Sequence, residues 1–414
     1  MAYSLFSVFG VEIEYALARK DTLAIDPSVD QLLEALVLNP DTAQVFGNVE
    51  ADNELAAHVL EIKCLNPVPD LVLQSKDFAA SIQSLNKILG RWNACLMPGG
   101  MHPFMNPAEE SHLWQHEDCR VYEAYDRIFG CRGHGWFNIQ SVHLNLPFAN
   151  DREFAALHNA ISLLLPLLPA LAAASPIYDG KASSWLDARL YHYIENQRRL
   201  PSIIGGIIPE PVGGEEEYRE KILAPMFREI APLDPEGLLG EEWLNSRAAI
   251  ARFSRGAIEI RCMDTQERPL ADLALCHWVT SVLLMVIEGG GDLLQAHRKV
   301  PTGLLKSFFL DSAQNGMQAK IPGGFPVSVF GFSEKEAPTT VREFLQAVTK
   351  RATDHLNRPV ALRDGDSFFG PSLDLILNQG NLAERIIKSS PMPTLYPSTY
   401  TRLCECLEKN EPFL

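Results

Sequence analysis

Two glutamates that share one face of a predicted strand are the first feature of this sequence that could perform chemistry. The segment FGVEIEYAL, residues 9–17, alternates as a β-strand does, which places Glu12 and Glu14 side by side on the face opposite Val11 and Ile13. Two ionised carboxylates about 6–7 Å apart repel each other by about 2–3 kcal/mol at an effective dielectric constant near 20. A solvated face tolerates such a pair, whereas a pair inside a cleft requires a cation.

Three further segments repeat this pattern, with apolar residues on one face and polar residues on the other. They are residues 57–64, which carry Glu61, residues 141–148, which carry His143, and residues 257–264, which carry Glu259 and Arg261. If the four strands lie in one sheet, these polar side chains gather on one surface. Carboxylates with one imidazole suit Mg²⁺ or Mn²⁺, and such ions bridge nucleotide phosphates during phosphoryl transfer. An arginine on the same face suits the transferring phosphoryl group.

The structural alternative is an antiparallel sheet with one solvated face, which is a common arrangement. Any one of the four strands fits that alternative. Four strands that together present several acids, one histidine and one arginine favour a chemical site instead.

The order of predicted strands and helices along the chain indicates an α+β fold. Strands are expected near 7–17, 57–64, 138–147 and 256–263, and helices at 70–92, 151–173 and 270–288. The long segments between strands lack regular βαβ spacing, so we expect an antiparallel rather than a doubly wound sheet. We find no clear linker, so residues 1–414 are predicted to form a single catalytic domain. Residues 1–265 carry the strands, and residues 266–414 form a mostly helical C-terminal part.

Composition and charge narrow the class of protein. With 36 basic and 52 acidic residues the net charge is −16, which disfavours nucleic acid as a partner. The eight cysteines form no CxxC pair, and no basic cluster precedes Arg19, so we expect reduced thiols, no secretory signal and a cytoplasmic location. The apolar runs 161–174 and 273–287 are short for membrane spans and are predicted to be buried helices.

Six segments resemble, in order, the motifs of the glutamate–cysteine ligase type 2 (carboxylate–amine ligase) family, which is similar to glutamine synthetase in its catalytic fold. They are FGVEIEYAL, ELAAHVLEIKC, GGMHPF, QSVHLNLPF, ASPIYDG and GAIEIRCMDT, within residues 5–265. The resemblance implies a curved antiparallel sheet that forms a funnel, with helices outside and with metals and nucleotide inside. It also implies an ATP-dependent ligase that phosphorylates a small carboxylate, typically the γ-carboxylate of glutamate, for attack by an amine such as cysteine, and hence a role in glutathione biosynthesis.

The resemblance also assigns roles to the residues of the polar face. It implies six metal ligands for Mg²⁺ or Mn²⁺: Glu12, Glu14, Glu54, Glu61, His143 and Glu259. One ion would be held by Glu12, His143 and Glu259, and others by Glu14, Glu54 and Glu61. Arg261 matches the phosphate-stabilising arginine, and together with Glu259 it forms the predicted catalytic pair. The family's GTHP turn is GMHP in this chain, so a threonine hydroxyl is absent from it.

Three residues outside the four strands are candidates for binding the nucleotide or substrate. His102 lies in a Gly/Pro-rich turn and either contacts a ligand or holds the turn. Ser175 in ASPIYDG either contacts a ligand or caps and turns the chain. Arg189 either clamps a substrate carboxylate or forms an ordinary ion pair.

Two other functions remain open at this level. A guanidino phosphotransferase of the same general fold would stop at phosphoryl transfer, and a nucleotide-binding relative would perform no catalysis. The identity of the amine, and the choice between a monomer and a homo-oligomer, are not determined by the sequence.

Overall fold

A computed structural model describes residues 3–37, 47–355 and 358–414 of the chain. Its strands are β1 (Gly10–Arg19), β2 (Val49–Asn53), β3 (Val59–Cys64), β4 (Ala94–Met97), β5 (Ser141–Pro147), β6 (Ile177–Tyr178), β7 (Lys181–Ala182), β8 (Ala249–Arg252) and β9 (Ala257–Asp264). Every pair of strands is antiparallel. The main sheet has the order β2-β3-β1-β5-β9-β8, with β4 also paired to β1, and β6 and β7 form a small hairpin. The predicted α+β fold is confirmed, with a sheet that stays open.

Strand register brings the predicted polar residues opposite one another. Glu12 lies opposite Lys63 of β3 on one side and opposite His143 of β5 on the other. Glu14 lies opposite Glu61, and the register between β5 and β9 shifts around His143. Such an irregularity redirects a side chain, and here the residue concerned is the imidazole of the polar face.

The opposite face of the sheet is apolar, as the alternation predicts. Val11, Ile13 and Tyr15 of β1 are fully buried, and so are Val142 and Leu144 of β5. This face packs against helices, because a sheet with one apolar face must bury it against another layer.

The helices supply that layer. The α-helices are Val29–Val37, Leu71–Leu89, Pro107–Glu110, Cys119–Phe129, His134–Phe137, Asp151–Leu164, Leu168–Ala172, Ala188–Tyr193, Pro201–Ile204, Glu215–Tyr218, Ala224–Ile230, Pro269–Glu288, Leu293–Lys299, Thr302–Asn315, Val341–Thr353, Val360–Gln379, Leu382–Ser389 and Tyr396–Lys409. The helix Pro269–Glu288 is buried on nearly every side and packs against the helices Leu71–Leu89 and Val360–Gln379.

Two helical stretches, Asp151–Ala172 and Pro269–Glu288, are long and apolar enough to cross a membrane by length and composition alone. Of their most apolar windows, 89% and 83% of the residues are buried inside the protein. Both therefore have the environment of core helices, as the sequence predicts.

The C-terminal third is joined closely to the rest. Residues from Phe6 to Leu407 contribute to one apolar core. Arg385 pairs with Glu267 just after β9 and also donates to the carbonyl oxygen of Phe413. The last helices thus fix the end of the strand that carries Glu259, while the domain organisation stays a prediction.

Candidate active site

A cavity of about 480 Å³ opens on the polar face of the sheet. Its charged lining residues are Glu14, Glu54, His143, Arg189 and Arg261, with Asp118 at its rim. The size is within the range of small-molecule sites in proteins, and mixed charge beside apolar walls is typical of them. The structure therefore brings together residues that are as much as 247 positions apart in the sequence.

His143 lies at the centre of the acidic group. Its Nδ1 atom is 3.0 Å from Glu12 Oε2 and 3.8 Å from Glu259 Oε1, and its Nε2 atom is 3.8 Å from Glu14 Oε1. Burial alone would lower the pKa of His143, but the hydrogen bond to Glu12 and the charges of Glu14 and Glu259 outweigh it and raise the pKa to about 9. In the absence of a metal, the imidazolium is the cation that these acids share.

Two sets of side chains are close enough to hold a metal ion. Glu12, His143 and Glu259 form one set and Glu14, Glu61 and His143 form the other, and within each set the ligand atoms lie within 4.8 Å of one another. Carboxylate oxygens and one imidazole nitrogen fit Mg²⁺ or Mn²⁺. The first set is the one that the resemblance implies. The second set contains His143 in place of Glu54, which the resemblance groups with Glu14 and Glu61.

Glu54 and Glu61 are crowded by negative charge. Burial, followed by the charge of Glu14, raises the pKa of Glu54 to about 8. Burial, followed by the charges of Glu12 and Glu54, raises the pKa of Glu61 well above its ordinary value, although Lys63 lies 3.3 Å from Glu61 Oε1. A bound divalent cation would relieve this repulsion.

Glu259 has the opposite environment. Its carboxylate accepts hydrogen bonds from Arg252 Nη1 and Arg261 Nε, each at 3.0 Å, and the residue is 1% exposed. Burial alone would raise the pKa of Glu259, but the charges of Arg261, His143 and Arg252 lower it to about 2. The same carboxylate raises the pKa of Arg261 above its ordinary value, against the effect of burial. Glu259 and Arg261 are thus held as an ion pair at the cavity.

Arg189 reaches the cavity from a buried polar network that the sequence analysis missed. Its Nε donates to Asp264 Oδ1, and Ser175 Oγ donates to Asp264 Oδ2 at 2.7 Å. A Cβ atom at position 100 would overlap the Asp264 carboxylate, so Gly100 is required there. Asp264 occupies a β9 position where alternation calls for an apolar residue, and that exception is the signal that could have identified it. Among the described residues, Arg189 Nη2 has no hydrogen-bond partner.

His102 and Ser175 lie outside the cavity lining. Nε2 of His102 is 2.8 Å from the carbonyl oxygen of Leu23, and its Nδ1 accepts a hydrogen bond from the backbone of Phe104. Ser175 is fully buried and holds Asp264. Both side chains form their hydrogen bonds with neighbouring residues of the protein, so their positions do not support the predicted contact with a cofactor. Arg189 has the position expected of a ligand-binding residue.

Part of the cavity wall is aromatic. The ring centroid of Tyr125 lies 5.3 Å from that of Trp136 and 5.9 Å from that of Trp243. Tyr122, about one helical turn before Tyr125, also lines the cavity. These side chains come from three separate segments, none of which matches a strand pattern. Only the amphipathic pattern of the helix Cys119–Phe129 could have drawn attention to them.

Comparisons with known proteins agree with this geometry. Residues 8–289 match the model of a family described as glutamate-cysteine ligase family 2. An uncharacterized protein of Archaeoglobus fulgidus is 31% identical over 411 residues, which cover 98% of this chain and 100% of that protein. The crystal structure of a glutamate–cysteine ligase from Francisella tularensis in complex with AMP has a similar fold, with a TM-score of 0.57 and 13% identity, over 99% of this chain and 90% of that one.

Proposed function

The chain belongs to glutamate-cysteine ligase family 2, and from this premise we propose that it joins a small carboxylate to an amine at the expense of ATP. Membership makes it a ligase that forms a carbon–nitrogen bond. The finer assignment is our proposal: glutamate is the carboxylate substrate, its γ-carboxylate is the group activated, and the reaction is that of a glutamate–cysteine ligase-like enzyme in the cytoplasm. The AMP bound by the Francisella protein supports the choice of an adenine nucleotide.

One observation carries the proposal. Acids of β1, β3 and β9 surround His143 of β5 beside the ion pair of Glu259 and Arg261, and Glu14, His143 and Arg261 of this group line one cavity. A solvated sheet face gives no reason for burying Glu14, Glu61 and Glu259 around one imidazole, because unpaired buried charge is costly. A site that receives divalent cations and a polyphosphate does give that reason.

The first half of the reaction forms an acyl phosphate. An oxygen of the substrate γ-carboxylate attacks the γ-phosphorus of ATP, the bond to the β,γ-bridging oxygen breaks, and ADP leaves with the electron pair. Divalent cations held by Glu12, Glu14, Glu61, His143 and Glu259 would neutralise phosphate oxygens in this step. Arg261 is fixed by Glu259 at the cavity wall, where its guanidinium stabilises charge on the transferring phosphoryl group.

The second half forms the amide. The amine nitrogen attacks the acyl carbon, phosphate leaves with the oxygen that belonged to the carboxylate, and the amine gives up a proton. Arg189 lines the cavity and its Nη2 has no hydrogen-bond partner among the described residues, so it can hold the α-carboxylate of glutamate by a charge-assisted hydrogen bond. That contact keeps the γ-carboxylate near Arg261 through both steps.

Hydroxylamine tests this proposal without knowledge of the natural amine. Purified protein with ATP, Mg²⁺, glutamate and hydroxylamine should form γ-glutamyl hydroxamate together with equal amounts of ADP and phosphate. A guanidino phosphotransferase would form neither hydroxamate nor free phosphate in this mixture, and would yield ADP and a phosphorylated guanidine only after a guanidine such as arginine is added. The absence of ADP formation with any carboxylate and with the guanidine would indicate a nucleotide-binding relative, and either result would refute the proposal.

A further inference from the structure

The lining of the cavity provides one free cationic contact for a carboxylate group. Its cationic side chains are Arg189, Arg261 and His143. Arg261 is committed to Glu259, and His143 to Glu12 and the acids around it. Arg189 is the one whose guanidinium keeps a buried nitrogen without a partner among the described residues. One substrate carboxylate can therefore be bound by charge in this cavity, and glutamate supplies it.

The remaining wall favours a positive charge. Asp118 lines the rim, is exposed to solvent and immediately precedes the helix that carries Tyr122. Its backbone has φ +63°, a left-handed conformation that few residues other than glycine adopt. Glu54 also lines the cavity, and the adjacent Asn53 donates a hydrogen bond to the Tyr122 hydroxyl. A ligand that brought a second carboxylate to this wall would meet two acids and no free cation.

The cavity also has an aromatic and apolar wall. Tyr122, Tyr125, Trp136 and Trp243 line it, and Val121 adds an aliphatic surface. Aromatic faces attract ammonium groups and also bury the apolar body of a ligand. Oε1 of Gln197, buried and without a partner among the described residues, offers a polar contact at the same cavity.

We propose, on the basis of the function proposed above, that the amine substrate is a primary amine with an apolar or aromatic body and no carboxylate group. Its ammonium group would approach past Asp118 and Glu54, and its body would lie on Tyr122, Tyr125, Trp136 and Trp243. We therefore expect an α-amino acid such as cysteine to be a poorer substrate than the amine that lacks its carboxylate group.

Matched pairs of amines test the proposal. Cysteamine and cysteine differ only by the carboxylate, and so do phenethylamine and phenylalanine. With ATP, Mg²⁺ and glutamate held at saturation, we expect kcat/KM for each amine to exceed that for its amino acid by about tenfold or more. A preference for the amino acids, or hydroxamate formation without turnover of either amine, would overturn the inference. Failure to form hydroxamate from glutamate would instead overturn the proposed function, and the inference with it.

The variant Asp118→Asn tests the origin of the preference. Asparagine tolerates the left-handed backbone, so the substitution removes the charge and keeps the fold. The ratio of kcat/KM for phenethylamine to that for phenylalanine should fall several-fold, and a ratio is insensitive to the amount of active enzyme. Glu123→Gln, on the exposed side of the same helix, is the matched control and should leave the ratio unchanged. Equal ratios in the wild type and Asp118→Asn would contradict a role for Asp118.

Discussion

Nδ1 of His143 lies 3.0 Å from Oε2 of Glu12, across the pairing of β1 with β5. The imidazole stands at the point where the register between β5 and β9 shifts, so that it faces acids of β1 and β9 together. This contact makes His143 the centre of the acidic group. The acids of this face therefore differ in their surroundings. Some, such as Glu259, lie beside cationic side chains that balance their charge, whereas others, such as Glu54, are crowded by further acids.

Removing the charge of Glu54 and removing the charge of Glu259 should have opposite effects on the stability of the fold. In chelator, Glu54→Gln should unfold at the same or a higher temperature than the wild type, because burial and Glu14 already disfavour its charge. Glu259→Gln should be less stable by up to about 3–5 kcal/mol, because it leaves Arg252 and Arg261 without their shared partner. Thermal and urea unfolding measure both effects. Equal destabilisation by the two variants would contradict this division.

Nucleotide binding should depend on a divalent cation. ATP brings further negative charge to a cavity lined by Glu14 and Glu54, so its affinity in chelator should be much lower than in Mg²⁺ or Mn²⁺. Isothermal titration calorimetry with and without the cation measures this difference. ATP that bound equally tightly in chelator would show that the acids do not act as a metal site.

Arg261 and Arg252 both pair with Glu259, but of the two only Arg261 lines the cavity. Arg261→Lys keeps the charge and loses the planar fork, so kcat should fall by about 10²-fold while the affinity for ATP changes little. Arg252→Lys is the matched control and should have a much smaller effect. Steady-state phosphate release gives both values. Equal losses in the two variants would mean that Arg261 acts only by positioning Glu259.

Alternation along short strands was enough to predict the polar face. It placed Glu12, Glu14 and His143 correctly because the side-chain period of a strand is fixed and the opposite face must be apolar. The aromatic wall was missed because Tyr122 and Trp243 belong to distant segments that meet only through tertiary packing. The role of His102 stayed open between ligand binding and holding the turn, because a turn sequence does not show where a side chain's hydrogen bonds go.

Buried histidines make part of the stability depend on pH. Burial lowers the pKa of His102 to about 4, against an ordinary value near 6.5 in the unfolded chain. Below pH 6.5 the unfolded chain binds more protons at this residue, so its contribution to the free energy of unfolding decreases as the pH falls towards 4, by up to about 1.4 kcal/mol per pH unit.

The contribution of His102 can be isolated with His102→Gln, which cannot titrate. The wild type should be more stable at pH 7, and its advantage over the variant should shrink as the pH falls from about 6.5 to 4. Urea unfolding at several pH values measures the difference. A constant advantage for His102 would refute the expectation.

The central claim is that a carboxylate is activated as an acyl phosphate in the cavity between His143 and Arg261. It can be tested most directly with glutamate labelled with ¹⁸O in its γ-carboxylate, in the presence of ATP, Mg²⁺ and hydroxylamine. The phosphate that leaves the acyl carbon carries the former carboxylate oxygen, so mass spectrometry should find one ¹⁸O atom in each phosphate released. Phosphate free of label, at a time when ATP is being consumed, would show that the carboxylate is not phosphorylated and would contradict the account.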